Sequence, residues 1–384
     1  MCSHIARKRL KNRIIFSHAY HAKVPFMSQP ITSPAFFIGK GDDTDLISFG
    51  SGQPDLPPPP AAFKVLENFR SFKYGLVAGE EPLRAEIAKE YPYATPEDFV
   101  ITNGASEALD LAMRAIAKDA PGSKVLLPRP YYYSYPHNVA LAWMIPVYTD
   151  LNRGKLDFDR FVRDVEGCRA ILINSPSNPT GTVQEVETLK SIERYCEERG
   201  IYIISDEVYK NLIYVRENYL LHGKRVITIN SFSKTYAMCG LRVGYMYSKD
   251  QDIIASAIEM KSHTSMNTSL AGQAMALAAM QESGSYVAEH TQVWRERRDL
   301  MYRGMRDLGL DLWEPEGAFY VFPKIMNPAR AMHDLYYNHR IITYNGEWFG
   351  ADDRLRFSYA LDREKIVEGL KRVKDFLGKE YASY

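Results

Sequence analysis

The chain has 384 residues, of which 46% are hydrophobic and 25% are charged, proportions that are ordinary for a globular protein with a sizeable core. Lys and Arg number 48 against 47 Asp and Glu, a net charge of +1 that favours neither nucleic acid nor an acidic membrane surface as a partner. The apolar runs are too short to cross a bilayer, and the four cysteines show neither C-x-x-C pairing nor a disulfide rhythm. We therefore expect a cytoplasmic protein without a metal ion.

The N-terminal 40 residues contain no acidic side chain, and five basic residues crowd one short stretch: Arg7, Lys8, Arg9, Lys11 and Arg13. This composition favours a solvated basic extension over residues 1–30, or an upstream segment ahead of a start at Met27. A transit peptide is also rich in arginine and poor in acids, so targeting to an organelle stays open. The stretch lacks the apolar core of a secretory signal.

Helical and β-rich segments alternate from about residue 74 to residue 247. Apolar residues recur at helical spacing over 106–118, and 185–199 has the pattern of a charged amphipathic helix. The predicted strands are 125–127, 170–174, 201–204, 226–229 and 242–247. This alternation predicts an α/β fold in which helices sandwich a mostly parallel sheet.

The chain becomes rich in predicted helices after about residue 248. Helices are expected near 251–261, 269–282 and 286–308, strands over 317–322 and 355–359, and a closing helix over 363–377. We expect four parts: the extension (1–30), an N-terminal segment that packs with the small domain (31–65), a large ligand-binding domain (66–275) and a small α+β domain (276–384).

Polar residues follow three of the predicted strands, at 174–181, 205–209 and 231–234. Ligands of such sheets bind beyond the carboxyl ends of the strands. Lys234 closes a Ser-x-Ser-Lys motif with Ser231 and Ser233, and a lysine amine can condense with an aldehyde to form a Schiff base. The two serine hydroxyls and the guanidinium of Arg242 are suitable donors to a phosphate. Taken alone, a lysine at the end of a strand is more often simply solvated.

Two further residues precede Lys234 in the same kind of position. Asp206 follows a strongly apolar strand, where a carboxylate is costly to bury without a cationic partner such as a protonated pyridine ring. An N-cap aspartate is the structural alternative. Asn178 begins an Asn-Pro-Thr-Gly stretch that also has the composition of a turn. Three such clusters in one chain favour a shared site.

Together these motifs resemble the class I/II aminotransferases, the fold-type I group of pyridoxal-phosphate-dependent enzymes. The resemblance covers about residues 47–377. Its motifs, in family order, are Asn178-Pro-Thr-Gly181, Asp206 with Tyr209, Ser231-x-Ser233-Lys234, Arg242, and Arg356 within 354–360. The chain departs from the sequence pattern of the family over 344–350, in the region of the substrate pocket, and before residue 47.

The resemblance implies a role for each of these residues. Lys234 holds pyridoxal 5'-phosphate covalently and moves a proton at the substrate α-carbon. Asp206 pairs with the pyridine nitrogen, and Tyr209 and Asn178 hydrogen-bond to the phenolic oxygen of the ring. The phosphate is bound by Ser231, Ser233 and Arg242, together with the start of a helix at Ala105 and Ser106. Ser106 is at the same time a plain N-cap residue.

Further roles follow from the same resemblance. Tyr132 is the aromatic residue that stacks on the cofactor ring, although Tyr131 or Tyr133 stays open as the alternative. Arg356 grips the substrate α-carboxylate, and Gly52 and Asn178 lie beside it. The remaining family position is Tyr74, a phosphate-binding tyrosine donated by the neighbouring subunit, which implies a homodimer with shared sites.

We expect amino-group transfer between an L-amino acid and a 2-oxo acid such as 2-oxoglutarate. The resemblance implies that a donor with two carboxylates needs a second cation, from a loop of the partner or from a lysine near the start of the phosphate-binding helix. This chain has no lysine over 104–106 and no arginine over 262–267, so we expect a preference for neutral or aromatic donors. His263 and Lys261 stay open as alternative sources of the charge. Carbon–sulfur elimination or cyclopropane formation on the same scaffold is an alternative. A non-enzymatic regulator is disfavoured, because the segment ahead of the family match is too short for a DNA-binding domain.

Overall fold

The computed structural model describes residues 31–37, 39–40, 45–214 and 218–381. The predicted basic extension over 1–30 lies outside this described part. The described residues from Ser33 onward form one compact unit. The division of that unit into a large and a small domain stays a prediction.

The strands and helices are given in chain order. The strands are β1 (Ile47–Ser48), β2 (Phe99–Thr102), β3 (Lys124–Arg129), β4 (Ile145–Asp150), β5 (Cys168–Asn174), β6 (Tyr202–Asp206), β7 (Val226–Ser231), β8 (Gly244–Ser248), β9 (Tyr320–Val321), β10 (Ile341–Ile342), β11 (Tyr344–Asn345) and β12 (Leu355–Ser358). The helices are α1 (Pro60–Glu67), α2 (Glu81–Ala88), α3 (Ala105–Ala117), α4 (Tyr135–Leu141), α5 (Phe158–Asp164), α6 (Val186–Arg199), α7 (Phe232–Thr235), α8 (Gln251–His263), α9 (Leu270–Gln281), α10 (Tyr286–Asp307), α11 (Pro328–His339) and α12 (Arg363–Tyr381).

The largest sheet has the strand order β2-β8-β7-β6-β5-β3-β4. Strand β8 runs antiparallel to both of its neighbours, and the other pairs are parallel. The predicted α/β fold with a mostly parallel sheet is therefore confirmed. Strands β5, β6 and β7 lie side by side, and the register pairs Asn174 with Asp206. Their carboxyl ends, which carry the polar clusters, consequently meet at one edge.

Helices cover both faces of this sheet. Alternate residues of each buried strand point to opposite faces, so Ala170 and Leu172 join one core cluster with α3, α4 and α8. Ile171 and Ile173 join another cluster, with α5 and α6, on the opposite face. The β2–β8 end of that opposite face packs against α2 and α9.

Two smaller sheets lie in the same unit. Strands β11, β12 and β9 form an antiparallel sheet. Strand β1 pairs in parallel with β10, with Ile47 opposite Ile341. The short segment after residue 45 is thereby held to the C-terminal part of the chain. In the described part of the chain, no helix combines the length and the apolarity needed to span a membrane.

Some predicted boundaries are wrong. The strand expected over 242–247 begins at Gly244, because Arg242 has a left-handed backbone with φ 55°. The strand expected over 317–322 is confined to β9. Helix α3 is capped by Gly104 rather than by Ser106.

Candidate active site

Lys234 lies in α7, a single turn that follows β7 directly. Ser231 is the N-cap of this turn, and its hydroxyl accepts a hydrogen bond from the Ser233 amide at 3.4 Å. The turn therefore places Lys234 just beyond the carboxyl end of the sheet. Its Nζ donates to the Gly52 carbonyl oxygen at 2.6 Å, so the amine faces the N-terminal segment across the site.

Asp206 is the last residue of β6, with 4% of its surface exposed. Its Oδ2 accepts from the Tyr135 hydroxyl at 2.6 Å, and its Oδ1 accepts from the Val208 amide at 3.3 Å. Burial raises the pKa of the Asp206 carboxyl to about 6, although these hydrogen bonds and the charge of Lys234 oppose the change. The residue is not a helix N-cap, because a turn follows it. A buried carboxylate of this kind is stabilised by a cationic partner.

Asn178 and Arg356 meet on the other side of the site. Asn174 fixes the Asn178 loop, because its side chain accepts from the Asn178 amide at 2.8 Å and donates to the Asp206 carbonyl at 2.9 Å. Arg356, on β12, donates to the Asn178 side-chain oxygen at 2.9 Å and to the Gly50 carbonyl oxygen. Its buried Nε–H has no hydrogen-bond partner among the described residues. A bound carboxylate is the natural acceptor for such a group.

The N-terminus of α3 lies beside Arg242. Gly104 caps this 13-residue helix with φ 77°, and a Cβ on Gly104 would lie 2.5 Å from Arg242 Nη2. The guanidinium donates to the carbonyl oxygens of Cys239 at 3.0 Å and Asn103 at 3.4 Å. Free helix amides and a guanidinium side by side form an anion site.

One cavity of about 380 Å³ joins these groups. It is lined by the predicted residues Gly52, Ala105, Ser106, Tyr132, Asn178, Asp206, Tyr209, Ser231, Ser233, Lys234, Arg242 and Arg356. The structure thus brings together every predicted site residue except Tyr74. Tyr74 is 84% exposed and lies away from the cavity of its own chain.

The three consecutive tyrosines have different surroundings. Tyr131 stacks on Tyr148, with ring centroids 5.6 Å apart, and does not line the cavity. Tyr132 and Tyr133 both line it, and their ring centroids are 4.7 Å apart. Tyr132 also lies edge-on to Tyr135, the partner of Asp206. The choice of a stacking residue is therefore narrowed to Tyr132 and Tyr133.

The contacts that three tyrosines of the cavity make were not predicted from the sequence. Tyr135 holds Asp206, Tyr320 hydrogen-bonds to Tyr209 at 2.8 Å, and Tyr344 lies against Arg356. The contacts of Tyr135 and Tyr320 join residues 71 and 111 positions apart, so no local pattern marks them. Tyr344 lies opposite Arg356 on the neighbouring strand, and only the pairing of β11 with β12 brings the two together. The one available signal for Tyr135 was its position in the polar run that follows β3.

Comparisons with known proteins identify the family of the chain. The family model described as "Aminotransferase class I and II" matches residues 44–373. A probable aspartate/prephenate aminotransferase of Aquifex aeolicus is 35% identical, over 97% of this chain and 99% of the relative.

Solved structures agree as well. The crystal structure of an aspartate aminotransferase from Thermotoga maritima superposes with a TM-score of 0.83 at 31% identity, covering 90% of this chain and 95% of that one. An aromatic aminotransferase from Pyrococcus horikoshii gives 0.82 at 30% identity, covering 88% and 97%. The chain therefore belongs to the class I and II aminotransferases, a family of pyridoxal-phosphate-dependent transaminases.

Proposed function

We propose that this protein binds pyridoxal 5'-phosphate in the cavity and transfers an amino group between an L-amino acid and a 2-oxo acid such as 2-oxoglutarate, with a preference for neutral or aromatic donors. The observation that carries this proposal is the convergence of Lys234, Asp206 and Arg356 on one cavity at the carboxyl ends of β5, β6 and β7. An amine, a buried carboxylate and a buried guanidinium are the three charged groups that the reaction requires.

The anion site at α3 fits the phosphate of the cofactor. The helix N-terminus offers the amides of Ala105 and Ser106, and Ser231, Ser233 and Arg242 line the same cavity. The close approach of Arg242 to Gly104 leaves no room for a Cβ at Gly104, so the glycine keeps the guanidinium against the helix start. These donors suit a dianion that is partly shielded from water.

The ring end of the cavity fits the rest of the cofactor. Asp206 gains a partner if a protonated pyridine nitrogen lies beside it, which offsets the burial that raises its pKa. The side-chain oxygen of Asn178 already accepts a hydrogen bond from Arg356. The side-chain nitrogen of Asn178 is therefore the group that donates to the phenolic oxygen, together with the Tyr209 hydroxyl. When bound, the cofactor supplies a ring that accepts electrons from the substrate α-carbon.

The remaining residues act on the substrate. Arg356 binds the α-carboxylate through its guanidinium, whose Nε–H lacks a protein acceptor in the described part of the chain. Gly52 lies next to this position and accepts from Lys234. Lys234, once its amine is free of the cofactor, would take the proton from the α-carbon and return it.

The donor preference rests on the charges of the cavity. Among the described residues that line it, the basic side chains are Lys234, Arg242 and Arg356, and each already has a role in this proposal. Tyrosines supply much of the remaining wall: Tyr132, Tyr133, Tyr135, Tyr209, Tyr320 and Tyr344. The side-chain carboxylate of an aspartate donor would have no cation to pair with, and burying an unpaired charge in the cavity costs free energy of binding.

Aspartate as donor is the second candidate. The relatives named aspartate/prephenate and aspartate aminotransferase favour it. This candidate requires a second cation from a partner subunit, because the basic side chains that line the described cavity already have roles.

A donor panel decides between the two candidates. We expect kcat/KM with 2-oxoglutarate to be at least as high for tyrosine, phenylalanine, alanine and methionine as for aspartate. A value for aspartate about tenfold above the others would overturn the preference and support the second candidate, and no turnover with any donor would overturn the function. Ser106→Lys, which adds a cation at the cavity wall, should raise the aspartate-to-tyrosine ratio, and Ser106→Met is its uncharged control.

We further propose a homodimer in the cytoplasm. Several large apolar side chains near Tyr74 are exposed: Phe63, Leu66, Phe72 and Leu76. A group of exposed apolar side chains of this kind marks an interaction surface. A second copy that covers it would bring Tyr74 to the neighbouring phosphate site.

A further inference from the structure

Tyr320 is a cavity residue that joins the two main sheets. It lies on β9 of the three-stranded sheet and is 1% exposed. Its hydroxyl lies 2.8 Å from the hydroxyl of Tyr209, which follows β6 of the seven-stranded sheet. The two rings meet edge to face, with centroids 5.8 Å apart. This pair of hydroxyls is therefore a direct polar contact between the sheets inside the cavity.

The same side chain contacts two other groups of the site. The Arg356 guanidinium carbon lies 4.5 Å from the centroid of the Tyr320 ring, a cation–π distance. The Tyr320 hydroxyl also abuts Gly52, where a Cβ would collide with it. Gly52 in turn accepts from Lys234. Tyr320 thus contacts a residue assigned to the substrate carboxylate, a residue assigned to the cofactor ring oxygen, and the glycine that accepts from the reactive amine.

The hydrogen bond between the Tyr209 and Tyr320 hydroxyls can run in either direction. A tyrosine hydroxyl carries one proton and two acceptor positions, so Tyr209 can donate into the cavity only if it does not donate to Tyr320. Tyr209 stays protonated at neutral pH, because burial first, and the neighbouring Tyr320 next, raise its pKa. Donation from Tyr320 to Tyr209 is the arrangement that leaves the Tyr209 proton available.

We propose that Tyr320 is a positioning residue: its hydroxyl donates to Tyr209 and directs the Tyr209 proton into the cavity, while its ring steadies the Arg356 guanidinium. The inference rests on the proposed function, since it requires that Tyr209 donates to the phenolic oxygen of bound pyridoxal phosphate. Tyr320 then acts on the cofactor through Tyr209 and on the substrate through Arg356.

Tyr320→Phe separates the two effects, because it removes the hydroxyl and keeps the ring beside Arg356. In protein loaded with pyridoxal phosphate, we expect the pH midpoint of the cofactor absorbance change to rise by about half a unit or more, since the phenolic oxygen loses an ordered donor. We expect kcat to fall about three- to tenfold. KM for the amino donor should change by less than about twofold, because the cation–π contact remains.

A double-mutant cycle tests whether the effect passes through Tyr209. In a Tyr209→Phe background, Tyr320→Phe should leave the absorbance midpoint unchanged. Tyr359→Phe is the control: it removes another buried hydroxyl, one that bonds to the Ala318 carbonyl at 3.2 Å, and should leave the midpoint of the otherwise wild-type protein in place. The thermal unfolding midpoint of each variant without cofactor, compared with that of the wild type, tests whether the fold is kept.

One outcome would contradict only the inference about Tyr320, and another would contradict the proposed function as well. If the loaded wild-type protein shows a cofactor band but Tyr320→Phe leaves its midpoint unmoved, or moves it equally in both backgrounds, the inference about Tyr320 is wrong and the proposed function stands. If the wild-type protein binds no pyridoxal phosphate, the proposed function itself fails, and the inference fails with it.

Discussion

At the residue scale, Asp206 shows how burial and hydrogen bonding compete. The carboxylate has two protein donors, yet burial is the largest influence and raises its pKa to about 6. A group with a raised pKa binds its proton more tightly in the folded than in the unfolded state. Asp206 therefore makes cofactor-free protein less stable as pH rises from about 4 to about 6, and its cost is fully present at neutral pH.

This difference predicts how Asp206→Asn responds to pH in protein without cofactor. Below about pH 4 the carboxyl is protonated in both states, and the variant and the wild type should differ least. By pH 7 the variant should gain stability relative to the wild type, on the order of 2–3 kcal/mol. Thermal unfolding midpoints at pH 4, 5, 6 and 7 provide the measurement. A difference that stays constant with pH would contradict the assignment of the raised pKa to Asp206.

The same residue is expected to control turnover. Asp206→Ala removes the proposed counter-charge of the cofactor ring and leaves Arg242 and the serines of the proposed phosphate site in place. Loss of a charge partner in a buried site costs several kcal/mol, which corresponds to a fall in kcat of about a thousandfold. Glu207→Gln is a matched control, because Glu207 is equally buried but bonds to Ser205. Near-normal turnover of Asp206→Ala would exclude the role.

At the element scale, the Gly104 turn and the start of α3 form part of the proposed phosphate site. Gly104 has φ 77°, a conformation that a residue with a Cβ rarely adopts, and its Cβ would press on Arg242. Gly122 has a similar φ of 80° but open space around it. Alanine at either glycine would strain the backbone, but only alanine at Gly104 would also press on Arg242. A comparison of the two variants therefore distinguishes the effect of strain from the effect of the contact.

Gly104→Ala should weaken the binding of pyridoxal phosphate about tenfold or more, because Arg242 must shift to admit the methyl group. Gly122→Ala should cost about 1 kcal/mol of stability and leave the affinity for pyridoxal phosphate unchanged. Titration of cofactor-free protein, followed by absorbance, measures both affinities. Equal affinities in the two variants would show that contact with Arg242 does not matter for the phosphate.

The helices and strands show which elements could be predicted from the sequence and which could not. The helices expected near 251–261, 269–282 and 286–308 correspond to α8, α9 and α10 within two residues. Helix α9 consists mostly of alanine, leucine and methionine, which are strong helix formers. Strands β2 and β4 were not predicted. Strand β4 lies at the edge of the sheet with a mixed burial pattern, so it lacks a continuous apolar run. Strand β2 has only four residues.

The residues of the candidate site could be predicted from the sequence, whereas the tyrosines that contact them could not. Lys234, Asp206 and Asn178 follow strands within recognisable motifs, and strand ends in a parallel sheet share one edge. Tyr135 and Tyr320 reach the same site through contacts that span 71 and 111 residues of the chain. Such contacts depend on how α4 and β9 pack, which single-sequence periodicity does not specify.

At the scale of the whole molecule, the proposed homodimer makes each site depend on two chains. Tyr74→Phe and Lys234→Ala fall in different chains of the same proposed site. Mixed and exchanged at random, half of the dimers combine one subunit of each kind and keep one intact site, which predicts about a quarter of wild-type activity from those dimers. The mixture should therefore exceed the average of its two parents. Tyr93→Phe, at another exposed tyrosine, should give only that average.

An active monomer, or a Tyr74→Phe mixture no better than the average of its parents, would contradict shared sites. Sedimentation of the wild-type protein at assay concentration gives the oligomeric state independently of activity. The exposed apolar side chains near Tyr74 predict a dimer there.

The identity of the reactive lysine is the central claim, and borohydride reduction tests it most directly. Wild-type protein loaded with pyridoxal phosphate should be yellow, lose its absorbance band on reduction, and yield one modified peptide with the cofactor on Lys234. Lys234→Ala should yield no such peptide, although its phosphate site is intact. A cofactor adduct that maps to any other lysine of the wild-type protein would contradict the account.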